Sequence, residues 1–152
     1  MPENASSKVI EIAKKRSIDL GLPYFGALTP MEVWGLAQSG VLITIVDVRT
    51  RAEWVFVGHV PESIKIEWQH FPSGALNPNF ITTLKDSVNM DSNIVFMCRS
   101  GARSNDAAIL AASEGFPRIF NMLEGFEGDL DPNGHRNKIG GWKAAGLAWQ
   151  QS

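Results

Sequence analysis

The chain's one cysteine, Cys98, is followed directly by Arg99, Ser100, Gly101, Ala102 and Arg103. The thiolate, not the thiol, is the nucleophile in cysteine-based transfer, and nearby positive charge favours it. Two arginines within five residues supply that charge. Ser100, Gly101 and Ala102 are small enough for the loop to curl, so that successive main-chain N–H groups point inward, and a following helix adds its partial positive end. The segment therefore reads as an anion cradle, with Cys98 as the catalytic nucleophile and Arg99, Ser100, Gly101, Ala102 and Arg103 binding the substrate. Most free cysteines are small buried hydrophobes, but such a residue has no need of two arginines at a turn. A single cysteine excludes an internal disulfide and any thiolate-rich zinc or iron–sulfur centre made by this chain alone, and no metal or cofactor is expected.

The elements that must hold this loop are legible on both sides of it. Residues 93–97 are a short, mostly apolar run, and residues 104–113 are alanine-rich and helical up to Gly115, so Cys98 stands at a strand-to-helix turn. Residues 41–48 form a β-branched and aliphatic run ending in Asp47-Val48-Arg49, the pattern of a strand covered on both faces. Thr29-Pro30-Met31-Glu32 combines a capping hydroxyl, a proline at the first helical position and a glutamate three residues after the cap, which opens a helix closed by Ser39-Gly40. Residues 50–56 can form a short helix, 63–67 a short strand, 71–80 a Pro/Gly/Asn loop before another helical stretch, and 118–121 a last strand. Strands alternating with helices make an α/β fold: an open parallel sheet with helices on both faces, and functional groups at the carboxyl ends of its strands. Asp47 and Cys98 both sit there. Residues 5–20 have helical spacing, with Lys14, Lys15 and Arg16 read as a solvated face. The expected organisation is an N-terminal helical extension over 1–24 and the main domain over 25–152.

Asp47, at the end of a buried strand, is expected to accept loop N–H groups or pair with an arginine. Arg49 and Glu53, four apart, are expected to pair with each other and support the site. Asp129-Leu130-Asp131-Pro132-Asn133-Gly134 imitates the start of a calcium loop, but Gly140 stands where the closing glutamate would be, so it reads as a polar turn. The five tryptophans are spread along the chain and read as packing, not as a stacking platform for nucleic acid. With 44% apolar and 20% charged residues and a formal net charge of −2, the chain offers no general attraction to nucleic acid or anionic membrane. No segment approaches the ~18 apolar residues of a membrane helix. The N-terminus lacks the apolar core of a secretory signal, so a cytoplasmic location is expected.

The loop Cys98-Arg99-Ser100-Gly101-Ala102-Arg103 resembles the active-site loop of the rhodanese family. Asp47-Val48-Arg49, Glu53-Trp54, Gly58-His59-Val60-Pro61 and residues 64–66 are similar to the family's upstream signature, and Leu123-Glu124-Gly125-Phe126, Gly141-Trp142 and Gly146-Leu147 to its C-terminal end, so the likeness spans about residues 25–150. It implies a rhodanese-like sheet of about five parallel strands. It also implies a sulfurtransferase whose Cys98 takes sulfane sulfur from a small anionic donor such as thiosulfate and passes it, as a persulfide, to a thiol or cyanide. By the same resemblance His59 belongs to a turn that supports the site from a distance. The chain departs from the pattern at Glu62-Ser63 and in a longer insert, residues 127–141, which can reshape the pocket rim and leaves the donor open. Two other readings stand beside this one. A cysteine phosphatase or arsenate reductase would need about five residues between cysteine and arginine to surround a tetrahedral anion, and here there are four. A non-enzymatic persulfide carrier or sensor would instead dock a protein partner, and a homodimer through the N-terminal helix is also open.

Overall fold

The computed structural model describes residues 5–151. Ten elements follow one another: α1 (Ala5–Asp19), β1 (Gly26–Leu28), α2 (Pro30–Gln38), β2 (Ile43–Asp47), α3 (Arg51–Phe56), β3 (Ile64–Lys65), α4 (Phe80–Ser87), β4 (Asn93–Met97), α5 (Ala102–Ser113) and β5 (Ile119–Met122). The strands form one parallel sheet in the order β1-β5-β4-β2-β3. This is the α/β architecture expected from the alternation of apolar runs and helical segments.

Strand β4 lies at the centre, paired with β2 from Ile43 opposite Asn93 to Asp47 opposite Met97, and with β5 on its other side. Because successive side chains of a strand point to opposite faces, β4 feeds two cores. Ile94 and Phe96, with Cys98 just beyond the strand, pack with Val46, Val48, Phe80, Leu84 and the Ala107, Ala108 and Ala111 face of α5. Val95 and Met97 pack on the other side with Ala13 of α1, Val33 and Leu36 of α2, Phe120, Phe126 and Trp142. The period of two thus assigns Cys98 to the α5 face.

Helix α2 carries the capping box its sequence predicts: the Thr29 hydroxyl accepts from the Glu32 N–H, and the Glu32 carboxylate accepts from the Thr29 N–H. A second box, not anticipated, opens α3, where Thr50 and Glu53 play the same parts. Helix α1 is bound to the body through buried Ala13, a Ser17 hydroxyl donated to the Tyr24 carbonyl, and an Arg16–Glu32 ion pair. The apolar run at 41–48 contributes only Ile43–Asp47 to the sheet, and α5 begins two residues earlier than its alanine-rich pattern suggests, at Ala102. No helix among the described residues is long and apolar enough to cross a membrane.

Candidate active site

The site begins where β4 ends. Cys98 leaves the strand, Gly101 turns the chain with φ of 112°, and α5 starts at Ala102, so the cysteine and the helix N-terminus share one tight loop. A positive φ is costly for residues with a Cβ, which explains the glycine at this point. The Cys98 side chain is 1% exposed. Its sulfur accepts the Gly101 N–H at 3.1 Å and lies 3.3 Å from the Ser104 hydroxyl. Among the described residues the Gly101 amide is the main-chain group that hydrogen-bonds the sulfur, and its second polar contact comes from the Ser104 side chain.

Ser104 went unsingled in the sequence, as did Asn121. The Ser104 hydroxyl donates to Asn121 Oδ1 at 2.6 Å, and Asn121 Nδ2 donates to the Gly101 carbonyl at 3.3 Å. Asn121, on β5, thereby ties the turn and the hydroxyl to the neighbouring strand. The sequence signal for Ser104 was its place six residues after Cys98, in the first turn of the helix that follows; Asn121 gave none, since only the sheet order brings β5 beside β4.

The loop is also clamped from outside. The Cys98 carbonyl accepts the Phe126 N–H at 2.8 Å, and the Arg99 carbonyl accepts the N–H groups of Glu127 and Gly128 at 3.0 and 3.1 Å. Gly125, with φ of 65°, lets this happen, because a Cβ there would lie 2.5 Å from the Cys98 carbonyl oxygen.

Asp47 accepts a loop N–H and pairs with an arginine, as expected, but the expected Arg49–Glu53 pair does not form. Arg49 does not bridge to Glu53. It lies fully buried on Asp47, with Nη2 to Oδ2 at 2.7 Å and Nε to Oδ1 at 3.0 Å, donates to the Gly58 carbonyl at 2.7 Å, and stacks 4.3 Å from the Phe126 ring. A two-residue separation at a strand end lets Arg49 fold back on Asp47, whereas the first turn of α3 aims Glu53 toward α5. There Glu53 receives both Nη groups of Arg103, at 2.7 and 2.9 Å. Burial pushes the Glu53 carboxyl up, but the hydrogen bonds and charge of Arg103, with the Thr50 N–H, outweigh it and hold it below the ordinary carboxylate range. Burial likewise lowers the Arg103 guanidinium, and its bonds to Glu53 raise it above the usual value. His59 sits apart, in an antiparallel bridge with Gln150, its Nδ1 buried with no hydrogen-bond partner among the described residues.

Arg99 and Arg103 line a cleft of about 560 Å³ whose other walls come from α3, the 69–74 loop and the insert, which contributes Glu127 and Arg136. Cys98 does not line this cleft; its sulfur sits behind the loop that does. Arg99 has no ion-pair partner among the described residues and is exposed. Asp131, in the calcium-like stretch, accepts the N–H groups of Asn133 and His135 at 2.9 and 2.8 Å and so organises a turn.

A small buried thiol thus stands at a parallel strand's end, in a turn flanked by Arg99 and Arg103. The model for the rhodanese-like domain matches residues 29–130. The chain belongs to the rhodanese-like family. The rhodanese-like chain is 39% identical over 110 residues to an uncharacterized protein, RP600, of Rickettsia prowazekii, covering 70% of this chain and 81% of that one. It is 26% identical over 107 residues to a protein named thiosulfate sulfurtransferase GlpE from Haemophilus influenzae, covering 68% of this chain and 87% of the relative. Among solved structures, Rv0390 from M. tuberculosis superposes with a TM-score of 0.76 at 39% identity, covering 85% of this chain and 99% of that one.

Proposed function

We propose that this rhodanese-like protein is a sulfurtransferase that carries sulfur on Cys98. The observation that carries the reading is the Cys98 sulfur itself, lodged between the Gly101 N–H and the Ser104 hydroxyl behind an arginine-lined cleft. Family membership and the GlpE relative support the reaction class.

In the first step the Cys98 thiolate attacks the outer sulfur of a donor such as thiosulfate. A sulfur–sulfur bond forms to Cys98, the donor's sulfur–sulfur bond breaks, and its electron pair leaves with sulfite. In the second step a thiolate or cyanide attacks the outer sulfur of the persulfide, and the Cys98 thiolate is released. No oxidant is consumed, and no base is required once the thiol is ionised. The Gly101 N–H is a donor suited to negative charge on sulfur; the Ser104 hydroxyl gives its proton to Asn121 Oδ1 and so accepts from the thiol, and it must turn that proton to the sulfur to serve the thiolate. Arg99 is the exposed cation for the donor's oxygens, and Arg103 adds charge from its place on Glu53. Ser100, Gly101 and Ala102 supply the turn. In this reading Asp47, Arg49 and Glu53 support that loop, and His59 does so only from a distance, through the turn whose Gly58 carbonyl Arg49 holds.

The test is the mass of the intact protein after incubation with thiosulfate, before and after a thiol reductant. We expect a gain of one sulfur that the reductant removes and that Cys98→Ser abolishes. A chain that never gains sulfur, or gains it equally in Cys98→Ser, rejects the proposal. Transfer from thiosulfate to cyanide at steady state, set against transfer from a cysteine desulfurase, then distinguishes a turnover enzyme from a relay.

A further inference from the structure

A line of buried polar groups runs from the Cys98 sulfur into the core. The sulfur meets the Ser104 hydroxyl at 3.3 Å, that hydroxyl gives its proton to Asn121 Oδ1 at 2.6 Å, and the Asn121 amide meets the hydroxyl of Tyr24. Tyr24 stands between α1 and β1, ahead of the residues that the family model matches, and packs in the same core as Cys98. The pairing of β1 with β5, with Ala27 opposite Asn121, brings it there. Its own proton goes to Asn105 Oδ1 on α5, at 2.7 Å, and its carbonyl accepts the Ser17 hydroxyl of α1 at 2.5 Å. Burial raises the Tyr24 phenol, and a hydrogen bond with Asn121 lowers it by less. Since an ordinary phenol already titrates above a thiol, Tyr24 stays a protonated donor across the range in which a thiol ionises.

The arrangement suits the thiol but not the thiolate, for which Ser104 must turn its proton to the sulfur. Asn121 Oδ1 then loses its donor, and Asn121 is 4% exposed, too deep for water to replace it. A buried acceptor left bare is costly, so the ionisation of Cys98 depends on a new donor for Asn121. Asn105 can release one: it is half-buried, within reach of water, so the Tyr24 proton it holds is free to turn. We propose that Tyr24 is a positioning residue for the Cys98 nucleophile, its hydroxyl turning from Asn105 to Asn121 as the Ser104 proton turns from Asn121 to the sulfur. Hydrogen bonds that line up in this way polarise one another toward the anion. This rests on the sulfurtransferase reading of Cys98 and names a further residue that readies it. Only hydrogen bonds change, and the proton of the thiol goes to water. Charged groups act on the sulfur separately: Arg99 beside it in the loop, and Arg103 on α5 with Asp47 and Glu53 coupled to it.

The chain has one cysteine and one tyrosine, so each group is followed alone. The titration of Cys98 is read from the ultraviolet absorbance of its thiolate, with Cys98→Ser as the blank that subtracts the phenol. Tyr24→Phe keeps the ring and removes the hydroxyl, and we expect the Cys98 midpoint to rise by about one pH unit. In a Ser104→Ala chain, which has no hydroxyl to turn, Tyr24→Phe should shift nothing further. A native midpoint in Tyr24→Phe, or the same shift with Ser104 already gone, overturns the proposal. Uniform replacement by 3-fluorotyrosine alters this site alone and makes a stronger donor, so it should lower the midpoint; an unmoved or raised one overturns the proposal, even were Tyr24→Phe to lose its fold. Sulfur loading from thiosulfate should be about tenfold slower in Tyr24→Phe below the midpoint and native above it. An equal loss at every pH overturns the proposal. Midpoints that move as expected in a chain that never loads sulfur leave Tyr24 its role and reject the sulfurtransferase reading.

Discussion

Arg49 has a fully buried side chain, and so does its partner Asp47. Removing one member of such a pair leaves the other charge uncompensated away from water, which costs about 3–5 kcal/mol. We therefore expect Arg49→Ala to destabilise the chain by about that amount, read as a lower urea midpoint at an unchanged slope. The loss should reach the active loop as well, because Arg49 also holds the Gly58 carbonyl and the Phe126 ring, and Phe126 donates to the Cys98 carbonyl. Asn121 acts closer in. Asn121→Ala removes the acceptor of the Ser104 hydroxyl and the donor to the Gly101 carbonyl, and an unsatisfied buried polar group costs about 1–3 kcal/mol. Sulfur loading of Cys98, followed by mass, should slow in Asn121→Ala while the far-ultraviolet spectrum stays native. Loading at the native rate would show that the Ser104 contact does nothing for the sulfur.

Two short elements determine how the loop is held. The first turn of α3 is fixed by the Thr50 box, and that turn aims Glu53 at Arg103. Loss of a capping hydroxyl costs about 1 kcal/mol. We expect Thr50→Ala to lower stability by this amount and to weaken anionic donors, read as a rise in KM larger than the fall in kcat. The other element is the turn at Gly125. A side chain there meets both a left-handed φ and the main chain of Cys98 and Arg99 at 2.5–2.6 Å. Backbone strain and forced displacement together come to about 2–4 kcal/mol. Gly125→Ala should therefore cut stability and sulfur loading together. The glycine and the capping threonine are far from obvious as parts of one site until α3, β4 and the 123–128 turn are seen side by side.

At the scale of the whole fold, two part-buried bridges among the described residues tie helix to helix: Glu53 with Arg103, and Glu32 with Arg16. In Glu32 burial again raises the carboxyl, while the hydrogen bond and charge of Arg16 and the Thr29 N–H lower it by more, so the net shift is downward. A carboxyl whose folded value lies below its unfolded one, about 4.3 for glutamate, binds protons more readily in the unfolded chain. Its contribution is fully present above that unfolded value and is lost as pH falls through the lower folded value. Stability should therefore be flat from neutral pH down to about pH 5 and decline below it. Glu53→Gln and Glu32→Gln should each make the acid limb shallower, measured as thermal midpoints over an acid series. A limb that keeps its slope in the double variant would place the acid sensitivity elsewhere.

The apolar runs, the helix signals and the Cys98 loop were readable in the sequence because each rests on neighbours in the chain: a period of two, a capping box, small residues beside a thiol. They determined the parallel α/β sheet, the placement of Cys98 at a strand's end, and the resemblance that family comparison supports. Pairings between elements were not readable, because charge alone does not say which carboxylate an arginine reaches. Arg49 took Asp47, Glu53 took Arg103, and Asn121 arrived beside Ser104 only through the strand order. Tertiary structure also decided how closely the site is held, since the turn at Gly125 packs against the main chain of Cys98 and Arg99. It also brought Arg136 of the insert to the same cleft as Phe56 and Phe71, residues far apart in the chain that only packing can join.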